Sequence, residues 1–119
     1  MNAMEMKPRT EAFALRIIQL VEARPATQMM GRGLVKPRLR AGTSVGANYR
    51  AACRSRSPAD FLSRMGVVEE DAHETRCGVE LLAEAGRIKA AELGPLQREA
   101  GQLVDITVAS TNPARGGAR

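Results

Sequence analysis

The sequence predicts an all-α protein, an antiparallel up-down-up-down four-helix bundle, and three observations carry that prediction. Apolar residues make up 44% of the 119 positions but aromatics only 3%, so alanine, leucine, valine and methionine must fill the core, as they do readily between helices. Four segments place apolar residues at helical spacing, and none alternates with the period of two expected of a half-buried strand. The connections between the segments are short, which makes consecutive helices antiparallel neighbours. The length suits one domain with its own core. Residues 1–8 read as a flexible N-terminal extension and 9–110 as the bundle. Residues 111–119, with Pro113, two glycines and two arginines, read as a disordered basic tail.

The first helix is expected from about Thr10, a candidate N-cap, to Ala23. Phe13, Ile17, Leu20 and Val21 share one face, and Pro25 ends the segment. The second is expected from about Met29 to Arg54. At 100° per residue Met30, Leu34, Ala41, Val45, Asn48 and Ala52 cluster on one side. Arg32, Lys36, Arg50 and Arg54 fall opposite, with Arg40 flanking them. Local propensity is poor here. Gly33, Pro37, Gly42 and Gly46 lie inside, and an interior proline costs roughly 3 kcal/mol, so the helix should kink near Pro37 or start only there.

The third helix has the clearest start. Ser57 can cap it, Pro58 fits the first helical position, and Asp60 complements the positive end of the dipole. Phe61, Met65, Val68, Ala72, Val79 and Ala83 form a narrow apolar face, and Gly86 suits the C-terminal stop. The fourth is expected from about Ala90 to Ser110, with Leu93, Leu96, Ala100, Leu103, Val104, Thr107 and Val108 on its inner face.

Charge is unevenly distributed along the chain, whose formal net charge is +5. Arg32 to Arg64 holds eight basic residues against the single acid Asp60, a formal +7. Met65 to Asp105 holds nine acids against four bases, a formal −5. A basic first half and an acidic second half suit either a polyanion or basic-on-acidic pairing between helices or subunits. Met1 to Lys7 has no apolar signal region, Cys53 and Cys77 form no metal or redox motif, and no apolar run is long enough for a membrane span. A cytoplasmic protein with reduced thiols is expected.

Residues 39–86 are more specific. Leu39-Arg40-Ala41-Gly42-Thr43-Ser44-Val45-Gly46-Ala47-Asn48-Tyr49-Arg50-Ala51-Ala52 resembles the bacterial four helix bundle protein family, also called the 23S rRNA-intervening-sequence protein family. Arg54 to Ser57, Asp60-Phe61, Glu69-Glu70, Glu74-Thr75 and Glu80 to Gly86 continue the likeness, which spans roughly residues 9–112. Three places depart from the family pattern: Pro37, His73, and Arg76-Cys77-Gly78-Val79, which stands where an aromatic pair is usual. The resemblance implies an antiparallel bundle assembled as a ring-like homopentamer, with no assigned catalytic residues. A related group, the accessory protein of diversity-generating retroelements, binds nucleic acid and reverse transcriptase. RNA or DNA, and a reverse transcriptase, are therefore expected partners by resemblance.

The candidate nucleic-acid-binding residues are Arg32, Lys36, Arg40, Arg50, Arg54, Arg56 and Arg64, because guanidinium groups bind phosphate bidentately. The stripe equally suits a solvated face or the acids of a neighbouring subunit. Only Tyr49 interrupts it with an aromatic ring, so base stacking is not suggested. Asn48 falls on the apolar face and needs a partner. It is expected, with Ser44, to bond a helix-three carboxylate such as Glu70 and so set the register of the two helices. Glu70-x-x-His73 matches half of a di-iron motif, but a complete site needs two such halves and the chain has one histidine. No metal, cofactor or catalytic site is predicted. The sequence therefore points to a non-enzymatic, oligomerising bundle with a basic second helix that contacts RNA or DNA. The alternative is a structural module whose basic and acidic faces pair between subunits.

Overall fold

The computed structural model describes residues 3–24, 35–86 and 88–116. Four helices follow one another: α1 (Ala3–Glu22), α2 (Lys36–Cys53), α3 (Pro58–Ala85) and α4 (Ala90–Gly116). No strand occurs among the described residues. α1 packs on α2, α2 on α3 and α3 on α4, while α1 and α4 meet along a much thinner seam. Facing residues run in opposite senses. Thr10 and Ile17 of α1 lie against Gly46 and Gly42 of α2, and Thr75 and Gly78 of α3 lie against Gly42 and Leu39. The bundle is therefore up-down-up-down. Its extents are 47 × 25 × 23 Å, in keeping with the 28-residue α3, roughly 42 Å long at 1.5 Å per residue.

The core takes Phe13 and Ile17 from α1, Leu39 and Val45 from α2, Met65, Val68, Val79 and Leu82 from α3, and Leu93 and Leu103 from α4. Each such side chain contributes about 1.5–3 kcal/mol on burial. Four threonines are buried with them, and each hydroxyl donates to a carbonyl of its own helix: Thr10 to Met6, Thr75 to Asp71, Thr107 to Val104 and Thr111 to Val108. That local bond lets a polar side chain enter the core without an orphaned donor.

The expected caps of α3 are present. Ser57 Oγ accepts from the Asp60 amide at 3.0 Å, Pro58 opens the helix, and Gly86 closes it at φ 69° in the left-handed region. α2 carries Pro37 in its first turn, where a missing N–H costs little. The part of the second helix expected before residue 35, including Met30, Arg32 and Leu34, lies outside the described residues.

Three differences from the sequence-based boundaries have physical causes. α1 begins at Ala3, and Thr10 is an interior residue rather than a cap, because Met6 and Thr10 continue the buried face of Phe13 and Ile17 by two turns. α4 runs past Ser110 to Gly116, with Thr111 still buried. The inner face of α2 is turned toward α1 relative to the simple wheel, so Leu39, Gly42 and Tyr49 are buried while Ala41 and Asn48 sit at the edge. A helix covered from two sides, by α1 and by α3, buries a wider arc than one packed on a single partner.

The interior glycines count against α2 locally but serve its packing. A Cβ on Gly42 would lie 2.9 Å from both Ile17 Cγ1 and Thr75 Cγ2, and one on Gly46 would lie 2.9 Å from Thr10 Oγ1. Three helices cross most closely at Gly42, so the absence of a side chain sets the spacing there.

Candidate nucleic-acid interface

On α2 the exposed positions recur at Arg40, Thr43, Ala47, Arg50 and Arg54, with half-buried Lys36 beginning the same stripe. These are i, i+4, i+7, i+11, i+14 and i+18 from Lys36, one face of a helix. The stripe points away from the core because Gly42, Val45, Tyr49 and Ala52 take the opposite arc. Arg56 follows in the short connection to α3 and is exposed, as is Arg64 nearly two turns into α3. Arg32 lies outside the described residues.

The cations differ in how far the chain already neutralises them. Arg50 Nη2 lies 3.0 Å from Glu11 Oε2 of α1, and Arg64 Nε lies 3.1 Å from Asp60 within its own helix. Both pairs are solvent-exposed, and pairs of that kind contribute only about 0–1 kcal/mol. They leave the guanidinium groups free to exchange partners. Among the described residues Lys36, Arg40, Arg54 and Arg56 have no carboxylate partner for their side-chain charge. Thr43 and Ala47 split the stripe into Lys36 with Arg40 and, about 15 Å further along α2, Arg50 with Arg54 and Arg56.

Two hollows border α1, and the first flanks the stripe. One, of about 670 Å³, is floored by Ile17, Ile18 and Val21 and bordered by Glu22, Lys36, Arg40, Thr43 and Ser44. The other, of about 310 Å³, lies between α1 and α4 and is lined by Arg16, Gln19, Leu20, Ala23, Arg24, Glu92 and Leu96. Ion pairs that the sequence did not reveal join α1 to α4, and Arg24 and Glu92 of one of them line the second hollow. Arg9 binds Glu99 through two bonds of 2.6 and 2.7 Å and also reaches Gln102 at 2.6 Å, while Arg24 pairs with Glu92. The Glu99 bonds hold the Arg9 guanidinium even more firmly in its charged form. Residues 90 positions apart carry no shared sequence signal, so only the closed bundle joins them.

The polar contact expected at Asn48 exists with a different partner. Asn48 Nδ2 donates to Asp71 Oδ2 at 2.6 Å, linking α2 to α3. Glu70 is exposed, because it is one position and 100° away from Asp71 on the helix. Ser44 is half-buried and borders the larger hollow instead of joining Asn48. Burial pushes the Asp71 carboxyl above its ordinary range; the Asn48 amide opposes this, and nearby Glu70 and Glu74 add to it. His73 is exposed, with Nδ1 3.4 Å from Arg76 Nη2. Among the described residues no three His, Cys, Asp or Glu side chains converge as a metal site requires. Cys53 is exposed and Cys77 is half-buried. No helix among the described residues is long and apolar enough to cross a membrane.

No protein-family model and no curated protein matches the chain. A solved structure does: a protein of unknown function of the S23 ribosomal protein family from Bacteroides thetaiotaomicron superposes with a TM-score of 0.78 and 28% sequence identity, covering 88% of this chain and 96% of that one. The superposition covers the whole bundle and not one helix pair, so it supports the likeness first visible in residues 39–86. By fold and by sequence, the chain resembles the S23 ribosomal protein family, which is the 23S rRNA-intervening-sequence family.

Proposed function

We propose that this chain is a non-enzymatic, self-associating helical bundle whose basic outer surface on α2 and the following connection binds RNA or DNA. The observation that carries the proposal is the exposure of Arg40, Arg54 and Arg56 with no carboxylate partner among the described residues. Guanidinium groups left unneutralised at a surface gain most from phosphate oxygens, which replace water and released counterions. The non-enzymatic part rests on the chemistry of the same surface. Its groups are permanent cations, suited to holding anions and poorly suited to moving protons. The structural relative's placement in a ribosomal protein family is in keeping with an RNA partner.

A fluorescent RNA or DNA oligonucleotide titrated over a salt series tests this. Affinity should fall steeply with salt, and Arg54→Glu with Arg56→Glu should weaken binding at least tenfold at low salt and flatten the slope by about two, at roughly 0.9 per phosphate contact on duplex DNA. Binding that persists unchanged in that variant would sink the proposal.

A second reading has its own support. The outer face of α3 carries Glu70, Glu74 and Glu84, and an acidic face on one copy suits a basic face on another. In that case the protein is a structural module without nucleic acid, and reversing the stripe breaks assembly instead.

A further inference from the structure

Two rows of solvent-facing residues wall the seam between α1 and α2. Glu11, Leu15, Ile18 and Glu22 share one line of α1 at i, i+4, i+7 and i+11, and the α2 row runs from Lys36 to Arg50. The helices are antiparallel, so Glu11 faces the Arg50 end and Glu22 the Lys36 end. At the Arg50 end the charges close on each other. Glu11 pairs with Arg50 at 3.0 Å, beside a hollow of only about 180 Å³. At the Lys36 end they stay apart. Among the described residues no ion pair joins Glu22 to Lys36 or Arg40, and all three border the hollow of about 670 Å³.

The chemistry of that larger hollow is sorted by side. Its floor of Ile17, Ile18 and Val21 is aliphatic, and Ile18 is 38% exposed. The α2 wall carries the cations Lys36 and Arg40 with the hydroxyls of Thr43 and Ser44, and the α1 wall carries the Glu22 carboxylate. A bare phosphate would use the cations alone and be repelled by Glu22. A nucleotide uses every part: an apolar base face, an anionic phosphate and, on some bases, an amino group. We infer that this groove receives an unpaired base of a single-stranded nucleic acid, with the adjoining phosphates on Lys36 and Arg40 and the exocyclic amino group of the base donating to Glu22. No aromatic ring lines the hollow, so the base lies between aliphatic side chains and is not stacked. The rest of the strand follows the stripe to Arg54, fourteen residues and about 21 Å along α2 from Arg40. In a duplex the same amino group is already bonded and the base is held in its stack, so the groove reads single strands. A carboxylate accepts and cannot donate. Cytosine therefore fits, whereas uracil sets a carbonyl oxygen against the carboxylate. The inference rests on the nucleic-acid part of the proposed function and adds to it the strandedness and the class of base.

Fluorescence anisotropy on the full chain at neutral pH tests the site. The probes are oligocytidine and oligouridine of about twelve nucleotides and a mixed-sequence duplex of the same length. Wild type should bind oligocytidine about fivefold more tightly than oligouridine. Glu22→Gln should remove that preference, because an amide donates to uracil as readily as it accepts from cytosine. Ile18→Ser should weaken oligocytidine about fivefold and leave the duplex unchanged, since only an unpaired base reaches the floor. Both side chains are exposed, so the helical circular-dichroism melts should match wild type. Equal affinity for the two single strands, a preference that survives Glu22→Gln, or an Ile18→Ser loss shared by the duplex would each overturn the base site while leaving the outer stripe as the binding surface. A wild type that binds none of the three probes would overturn the stripe and the base site together, which keeps the two failures distinct.

Discussion

Asn48 Nδ2 of α2 donates a 2.6 Å hydrogen bond to Asp71 Oδ2 of α3 at the edge of the core. The amide donates and the carboxylate accepts, and both side chains are half-buried, so each would lose a partner that water replaces poorly. Asn48→Leu should lower unfolding free energy by about 1–3 kcal/mol in urea titrations. Unchanged melting and assembly in that variant would rule out a register role.

Asp71 itself should respond in the opposite sense. Its folded-state pKa is raised, chiefly by burial, so the folded protein holds the proton more tightly than the unfolded chain. The associated stability is present below pH 4 and is lost as pH rises through the raised value. Asp71→Asn keeps an acceptor for the Asn48 amide and removes that loss. Its stability relative to wild type should therefore improve from pH 4 to pH 7, which thermal melts across that range would show.

Glycines separate packing from propensity. Gly42→Ala gains about 1 kcal/mol of helix propensity, but its Cβ would sit 2.9 Å from Ile17 and Thr75 across two helix interfaces. Overpacking costs about 1–3 kcal/mol, so the substitution should destabilise on balance. Gly66 and Gly101 have nothing within 4 Å of an added Cβ, and alanine at either should stabilise by up to about 1 kcal/mol. Chemical denaturation of the three variants side by side gives the comparison.

The seam between α1 and α4 depends on Arg9. Its doubly bonded pair with Glu99 is mostly shielded, with side chains 22% and 18% exposed. Glu99→Gln should cost about 1–2 kcal/mol and raise amide hydrogen exchange in the first half of α1 more than in α3. Equal protection of α1 in both proteins would mean that α2 alone secures it.

Tyr49 predicts an alkaline weakness. Burial, reinforced by the Cys53 thiol, pushes its phenol up to about 12. The unfolded chain releases that proton near pH 10, so between pH 10 and about 12 the unfolded state gains relative to the folded one. The contribution is complete below pH 10 and disappears as pH rises through the folded value, by an amount on the order of 2 kcal/mol. Tyr49→Phe should show a shallower loss of stability over that window in denaturation curves.

Periodicity alone determined a good part of this protein. The apolar faces of α1, α3 and α4, the Ser57 cap and Gly86 stop of α3, the outward basic stripe on α2, and the need of Asn48 for a carboxylate are all properties of neighbours within a few turns. A helix repeats its own geometry, so such relations can be read along the chain. The choice of Asp71 over Glu70 could not be read that way, because it depends on the rotation of α3 against α2 to within one residue. Nor could the purpose of Gly42, the burial of Leu39 and Tyr49, or the Arg9–Glu99 clasp be read. Each follows from how many neighbours cover a helix and how closely they approach, and those distances exist only once the bundle has closed.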